Sequence, residues 1–102
     1  DEARLVTLAD VRINGYLSDH DAALALVDEY LAKHPKDGLM LEERADTLAR
    51  AGNFADALIG YDVALANVAP QEDSPLREPP HVLIQKRRMA AAALKESASI
   101  RR

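Results

Sequence analysis

Apolar residues recur at intervals of three and four along most of this chain, the spacing that lays a single stripe along an α-helix. Between Leu41 and Pro70 two such stripes flank Ala51-Gly52-Asn53. Leu41, Ala45, Leu48 and Ala49 form the first, and Phe54, Ala57, Leu58, Tyr61, Ala64, Leu65 and Val68 the second. Gly52 suits the left-handed residue that ends a helix, Asn53 can cap the next one, and Asp56 favours the positive end of that helix. So short a turn requires the two helices to lie antiparallel. Upstream, Leu5, Val6, Leu8, Ala9 and Ile13 give a broad apolar face to a helix at 3–14, ended by Asn14-Gly15. Ser18 or Asp19 caps a second helix at 20–34, with Ala23, Leu24, Val27, Tyr30 and Leu31 inward, and His34-Pro35-Lys36-Asp37-Gly38 turns the chain. After residue 80, Leu83, Ile84, Met89, Ala90, Ala91 and Leu94 place one more helix at 81–97, packed on the preceding pair. Five helices are thus predicted, at 3–14, 20–34, 38–51, 54–68 and 81–97, in antiparallel order. No run of strand formers competes with them.

The pattern repeats. Ala23 recurs as Ala57, Leu24 as Leu58, Leu31 as Leu65 and the cap Asp19 as Asn53, all at one common interval; Pro35 and Pro70 miss that interval by one. The interval is about 34 residues, the length of a helix-turn-helix repeat unit. Such a unit cannot bury its apolar face alone and stacks on its neighbour. In the second unit Ala45, Gly52, Phe54, Ala57, Tyr61 and Ala64 resemble the tetratricopeptide repeat (TPR) family, which places small, glycine, aromatic, alanine, aromatic and alanine residues there. Arg44 for leucine, Leu41 for tryptophan, and the late proline depart from that pattern. The first unit matches through Ala23, Leu24, Leu31 and Pro35, with Tyr30 where the family prefers alanine. For its first helix, strict phasing turns Thr7 and Asp10 inward, whereas a two-residue slip turns Leu5, Leu8 and Ala9 inward; the slipped phase is adopted. The resemblance implies an all-α fold of antiparallel helical hairpins stacked as a short right-handed solenoid. Its single domain, 1–102, divides into unit one at 3–35, unit two at 38–70, a loop at 70–80, and a partial third unit or capping helix at 81–97. In the last helix two registers compete: Ile84 on Leu41 with Arg87 on Arg44, or Ala90 on Ala45.

Composition sharpens this picture. Of the 102 residues 48% are hydrophobic but only 4% aromatic, so alanine and leucine do the packing, which suits closely approaching helices. Ala57 and Ala64 are expected to be buried between helices, and Gly60 to mark a close contact. The stretch 70–80 holds four of the five prolines and reads as a solvated connector rather than a proline-rich ligand. No apolar run approaches the ~18 residues of a membrane span. Cysteine is absent, which excludes disulfides and thiolate chemistry but leaves the compartment, cytoplasm or periplasm, open. The chain opens on Asp1 without methionine, as a segment of a longer protein would. Residues 1–80 carry a net charge of −9 and residues 81–102 a net of +5. An acidic body argues against nucleic acid as the main partner.

Candidate chemistry is sparse. His20, His34 and His81 sit in three separate turns without metal-ligand spacing, so neither a metal nor a cofactor is expected. The adjacent pairs Asp28-Glu29 and Glu42-Glu43 diverge by about 100° on a helix and cannot share a proton. No nucleophile motif or phosphate-cradling glycine loop is present, and no enzymatic activity is expected. In the family, function lies on the concave surface lined by the first helix of each hairpin. Carried over position by position, this implies Leu39, Glu42, Asp46, Ala49 and Arg50 from the second unit and, in the slipped phase, Val6, Asp10 and Ile13 from the first. Glu42 and Asp46 would repel the acidic peptide ends that the chaperone-clamping subfamily takes; they suit a mixed or basic peptide, with Arg50 paired to Asp46 one turn away. The implied function is a protein–protein interaction module. The alternative is a spacer or self-assembly segment of a longer array in a bacterial-type scaffold, secretion or export protein. Lys86, Arg87 and Arg88 read first as a solvated helix face; as a basic interaction face they are expected to meet the acidic body of the same chain or of a second copy, and so to permit a homo-oligomer through the last helix.

Overall fold

The computed structural model describes residues 2–67 and 80–100, with side chains over 2–67 and 82–98. Among the described residues the chain is all-helical, without strands: α1 (Glu2–Tyr16), α2 (His20–Lys33), α3 (Gly38–Arg50), α4 (Phe54–Ala66) and α5 (Pro80–Ile100). The proline-rich loop placed at 70–80 lies outside them, except for Pro80. That residue opens α5, a position where proline's missing N–H costs nothing.

Two of the turns share one construction, a full repeat period apart. At the end of α1, Asp19 N–H donates to Asn14 O at 2.8 Å and Ser18 N–H to Gly15 O at 3.0 Å, with Ser18 at a φ of 61°. At the end of α3, Asn53 N–H donates to Leu48 O at 2.9 Å and Gly52 N–H to Ala49 O at 3.0 Å, with Gly52 at 83°. Both are the paired bonds of a helix closed by a left-handed residue. Asp19 and Asn53 then accept from Ala22 N–H and Asp56 N–H to cap α2 and α4. The expected stop at Asn14-Gly15 is therefore wrong by a few residues: Gly15 is helical and Ser18 supplies the left-handed turn. Gly15 has a different use, since an added Cβ there would lie 3.4 Å from Arg50 Nη1 of α3.

Each helix packs on the next in sequence, and α1 also reaches α3. Two clusters form the core. Leu8 and Val11 of α1, Ala23, Val27 and Tyr30 of α2, and Leu39 and Met40 of α3 make the first. Ala45 and Leu48 of α3, Ala57, Tyr61 and Ala64 of α4, and Leu83 and Ala90 of α5 make the second, with Leu24 packed against both. Ala57 and Ala64 are fully buried, as expected. Gly60 is a point of close approach, where an added Cβ would lie 3.0 Å from the Cβ of Ala45. The first core closes over Asp37, which caps α3 through Met40 N–H, accepts from Tyr30 Oη at 3.1 Å and pairs with Arg4 at 2.8 Å. Tyr30 thus keeps a partner for its hydroxyl in a buried position.

The slipped phase of α1 is overturned. Leu8 is buried, but Leu5 and Ala9 are exposed, and Val11, absent from the expected face, is fully buried. Val11 stands one period before Ala45 and shares its burial, although Asp10, which strict phasing turns inward, is exposed and Thr7 only half-buried. In α5, Leu83 and Ala90 are buried whereas Ile84 and Met89 are exposed. Arg87 pairs with Asp62 as Arg44 pairs with Asp28, which selects the register with Arg87 on Arg44.

Candidate functional site

Asp46 sits where three helices meet. Tyr61 of α4 donates its hydroxyl to Asp46 Oδ1 at 2.6 Å, and Lys86 of α5 donates to Asp46 Oδ2 at 2.9 Å and to Glu42 Oε2 at 2.7 Å. Asp46 lies one turn beyond Glu42 on α3, so a single ammonium can bridge both carboxylates. Both acids are nearly buried, and burial of such charges demands this pairing. Burial and the neighbouring Asp46 carboxylate push the Tyr61 hydroxyl pKa well up, so it remains a proton donor.

Beside this cluster a cleft of about 530 Å³ opens between α1, α3 and α5. Its walls are Arg12 of α1, Lys86 of α5, Tyr61 of α4, and Glu43, Asp46, Ala49 and Arg50 of α3. Glu43 is 4% exposed at its side chain; its Oε1 stands 3.6 Å from Arg12 Nε and 3.9 Å from Arg50 Nη1, and accepts no hydrogen bond among the described residues. Burial raises the Glu43 pKa; Arg12 opposes that shift, Asp46 adds to it and Arg50 opposes it. The two arginines are half in solvent, 50% and 46% exposed, and they frame the mouth. The cleft can therefore receive an acceptor or an anion from solvent, while its acids face inward.

The implied site residues separate accordingly. Asp46, Ala49 and Arg50 line the cleft, and Glu42 lies beneath it, held by Lys86. Arg50 approaches Glu43, not Asp46. Leu39 is a core residue and offers nothing to a partner. Val6, Asp10 and Ile13 are exposed but outside the cleft wall, because the phase that selected them was slipped. The wall residue of α1 is Arg12, and strict spacing would have found it one period before Asp46. Glu43 and Tyr61 were not expected at the site: sequence alone does not distinguish Glu43 from an exposed acid, and Tyr61 was read only as part of the apolar stripe of α4. The basic trio divides: Lys86 turns onto Glu42 and Asp46, Arg87 onto Asp62, and Arg88 stays exposed.

Among the described residues no three His, Cys, Asp or Glu side chains converge as a metal site, and no helix is long and apolar enough to cross a membrane. Comparison with protein families, with curated proteins and with solved structures returns no match to this chain.

Proposed function

We propose that this chain is a protein-interaction module of stacked, tetratricopeptide-like helical pairs, without catalysis, whose α1–α3–α5 cleft holds an acidic side chain of an extended protein segment. The cleft carries this proposal: first helices one period apart contribute Arg12 and Asp46 to one concave wall, and α5 closes it through Lys86. The recurrence of the turn at Ser18 and Gly52, and of the buried positions Val11 and Ala45, Ala23 and Ala57, and Val27 and Tyr61, supports the stacked arrangement.

The charge preference differs from the mixed or basic peptide first expected. Glu42 and Asp46 are already engaged by Lys86 and Tyr61, so a basic ligand would have to displace a nearly buried ion pair. Arg12 and Arg50 reach solvent and share one carboxylate beyond hydrogen-bond distance. Each guanidinium has five donors in a planar fork, suited to a second carboxylate.

A peptide array probed with the intact chain tests this. Bound segments should be enriched in Asp or Glu, and Arg12→Glu with Arg50→Glu should lose them while retaining the helical circular-dichroism spectrum. Equal binding of neutral segments by both proteins would refute the acidic preference; no binding by either would refute the groove.

A further inference from the structure

The contact between one helical pair and the next is built the same way twice. On α2, Leu24, Asp28 and Leu31 stand at positions i, i+4 and i+7; on α4, one period later, stand Leu58, Asp62 and Leu65. The receiving helices answer at the same spacing, with Met40, Arg44 and Thr47 on α3 and Leu83, Arg87 and Ala90 on α5. Arg44 meets Asp28 at 2.6 Å, and Arg87 meets Asp62. Met40, Thr47, Leu83 and Ala90 are buried around these ion pairs. Each seat is therefore one acid-to-arginine bridge flanked by two buried positions, Met40 and Thr47 on α3 and Leu83 and Ala90 on α5, with the acid on the earlier helix.

The two outermost helices carry the same spacing with the signs exchanged. On α1, one period before the α3 set, stand Val6, Asp10 and Ile13. Val6 and Ile13 are 55% and 58% exposed, and Asp10 has no ion-pair partner among the described residues. On α5, one residue beyond the set that packs on α4, stand Ile84, Arg88 and Ala91, with Ile84 41% exposed and Arg88 exposed. Arg88 occupies the place that the fully buried Ala45 holds on α3, so a helix packed there as α4 packs on α3 would bury an arginine.

We propose that these two faces join between copies of this chain, the α1 face of one copy covered by the α5 face of a second, with Asp10 paired to Arg88 of the second copy. Charge complementarity selects this occupant. A helix of the α2 or α4 kind would set its aspartate against Asp10, and two α1 faces packed antiparallel would bring Asp10 against Asp10. The α5 face supplies the opposite sign at matching spacing, and the net charges of −9 over residues 1–80 and +5 over 81–102 favour encounter in this orientation. The contact is heterologous, so it generates chains or rings rather than a symmetric pair.

Sedimentation velocity across about 1 µM to 1 mM, a range that spans weak to moderate association, tests the joint. The wild-type chain should show a series of species growing with concentration. Asp10→Arg and Arg88→Asp should each weaken association by roughly tenfold, because each places like charges together. Mixed in equal amounts, those two variants should co-assemble, since every joint then regains one acid and one base; the double variant should also associate as wild type does. Both positions are exposed, and unchanged circular-dichroism melts confirm that each variant folds. A monomer throughout the range, a closed dimer, or association indifferent to both single reversals would overturn the proposal.

Discussion

Gly60→Ala measures how closely α3 and α4 approach. In an isolated helix the change is favourable by about 1 kcal/mol, because alanine has less backbone freedom to lose. In this fold the new Cβ would lie 3.0 Å from Ala45 Cβ and 3.5 Å from Ala45 Cα. A Cβ cannot rotate away from its own backbone, and Ala45 is fully buried, so relief requires the helices to separate by a few tenths of an ångström. Overpacking of this kind costs about 1–3 kcal/mol. The overpacking exceeds the propensity gain, and a net loss of about 1 kcal/mol follows.

The reciprocal substitution separates the two contributions. Ala45→Gly alone should lose about 1 kcal/mol, chiefly in helix propensity. Joined to Gly60→Ala it reopens the gap, so the double variant should return to within about 1 kcal/mol of wild type, a favourable coupling in the range of contacting residues. Urea titration of the four proteins reads each value as a midpoint shift at constant slope. A Gly60→Ala variant more stable than wild type, with additive behaviour in the double, would refute the close approach.

Ser18→Gly should stabilise the chain by about 0.5–1 kcal/mol, since Ser18 holds a φ of 61° that glycine adopts without strain; a lowered thermal midpoint would contradict it. Asp37→Ala removes a helix cap, an ion pair with Arg4 and the partner of the Tyr30 hydroxyl, and should cost about 2–3 kcal/mol by denaturant titration. Glu43 has a raised pKa when folded, so its favourable contribution is complete below the unfolded value and is lost as pH rises through the folded one. The stability of wild type relative to Glu43→Gln should therefore fall as pH is raised from about 4 toward neutrality, and a pH-independent difference would show that Glu43 is not desolvated.

Helix number, the repeat period and the buried alanines of α4 were legible because one apolar stripe per helix matches one buried face. The register of α1 was not, because that helix is apolar on two sides. Its exposed stripe, Val6 with Ile13, is richer than its buried one, where Val11 stands between Asp10 and Arg12. Of the five α3 residues expected at a site, Asp46, Ala49 and Arg50 line the candidate cleft, whereas Leu39 lies in the core and Glu42 beneath the wall. Which of its charges are already engaged was not legible, because a sequence does not show ion pairs between distant helices. Lys86 answers Glu42 and Asp46 from 44 and 40 residues away, across a connection that no local pattern predicts.

The exchange of sign at the two ends bears on specificity as well as affinity. If α1 carried arginine at position 10, as α3 carries Arg44, the basic face of α5 would be repelled and the joint lost. With Asp10 there, that face is accepted. Within the chain the reverse holds, since Arg44 and Arg87 accept Asp28 and Asp62 and would repel Arg88. Each interior bridge is partly exposed, as an Asp10–Arg88 bridge would be at its rim, and such pairs contribute little to stability. Their mismatch costs more than their match contributes, so the charges choose the partner while Val6, Ile13 and Ile84 supply the burial that holds it.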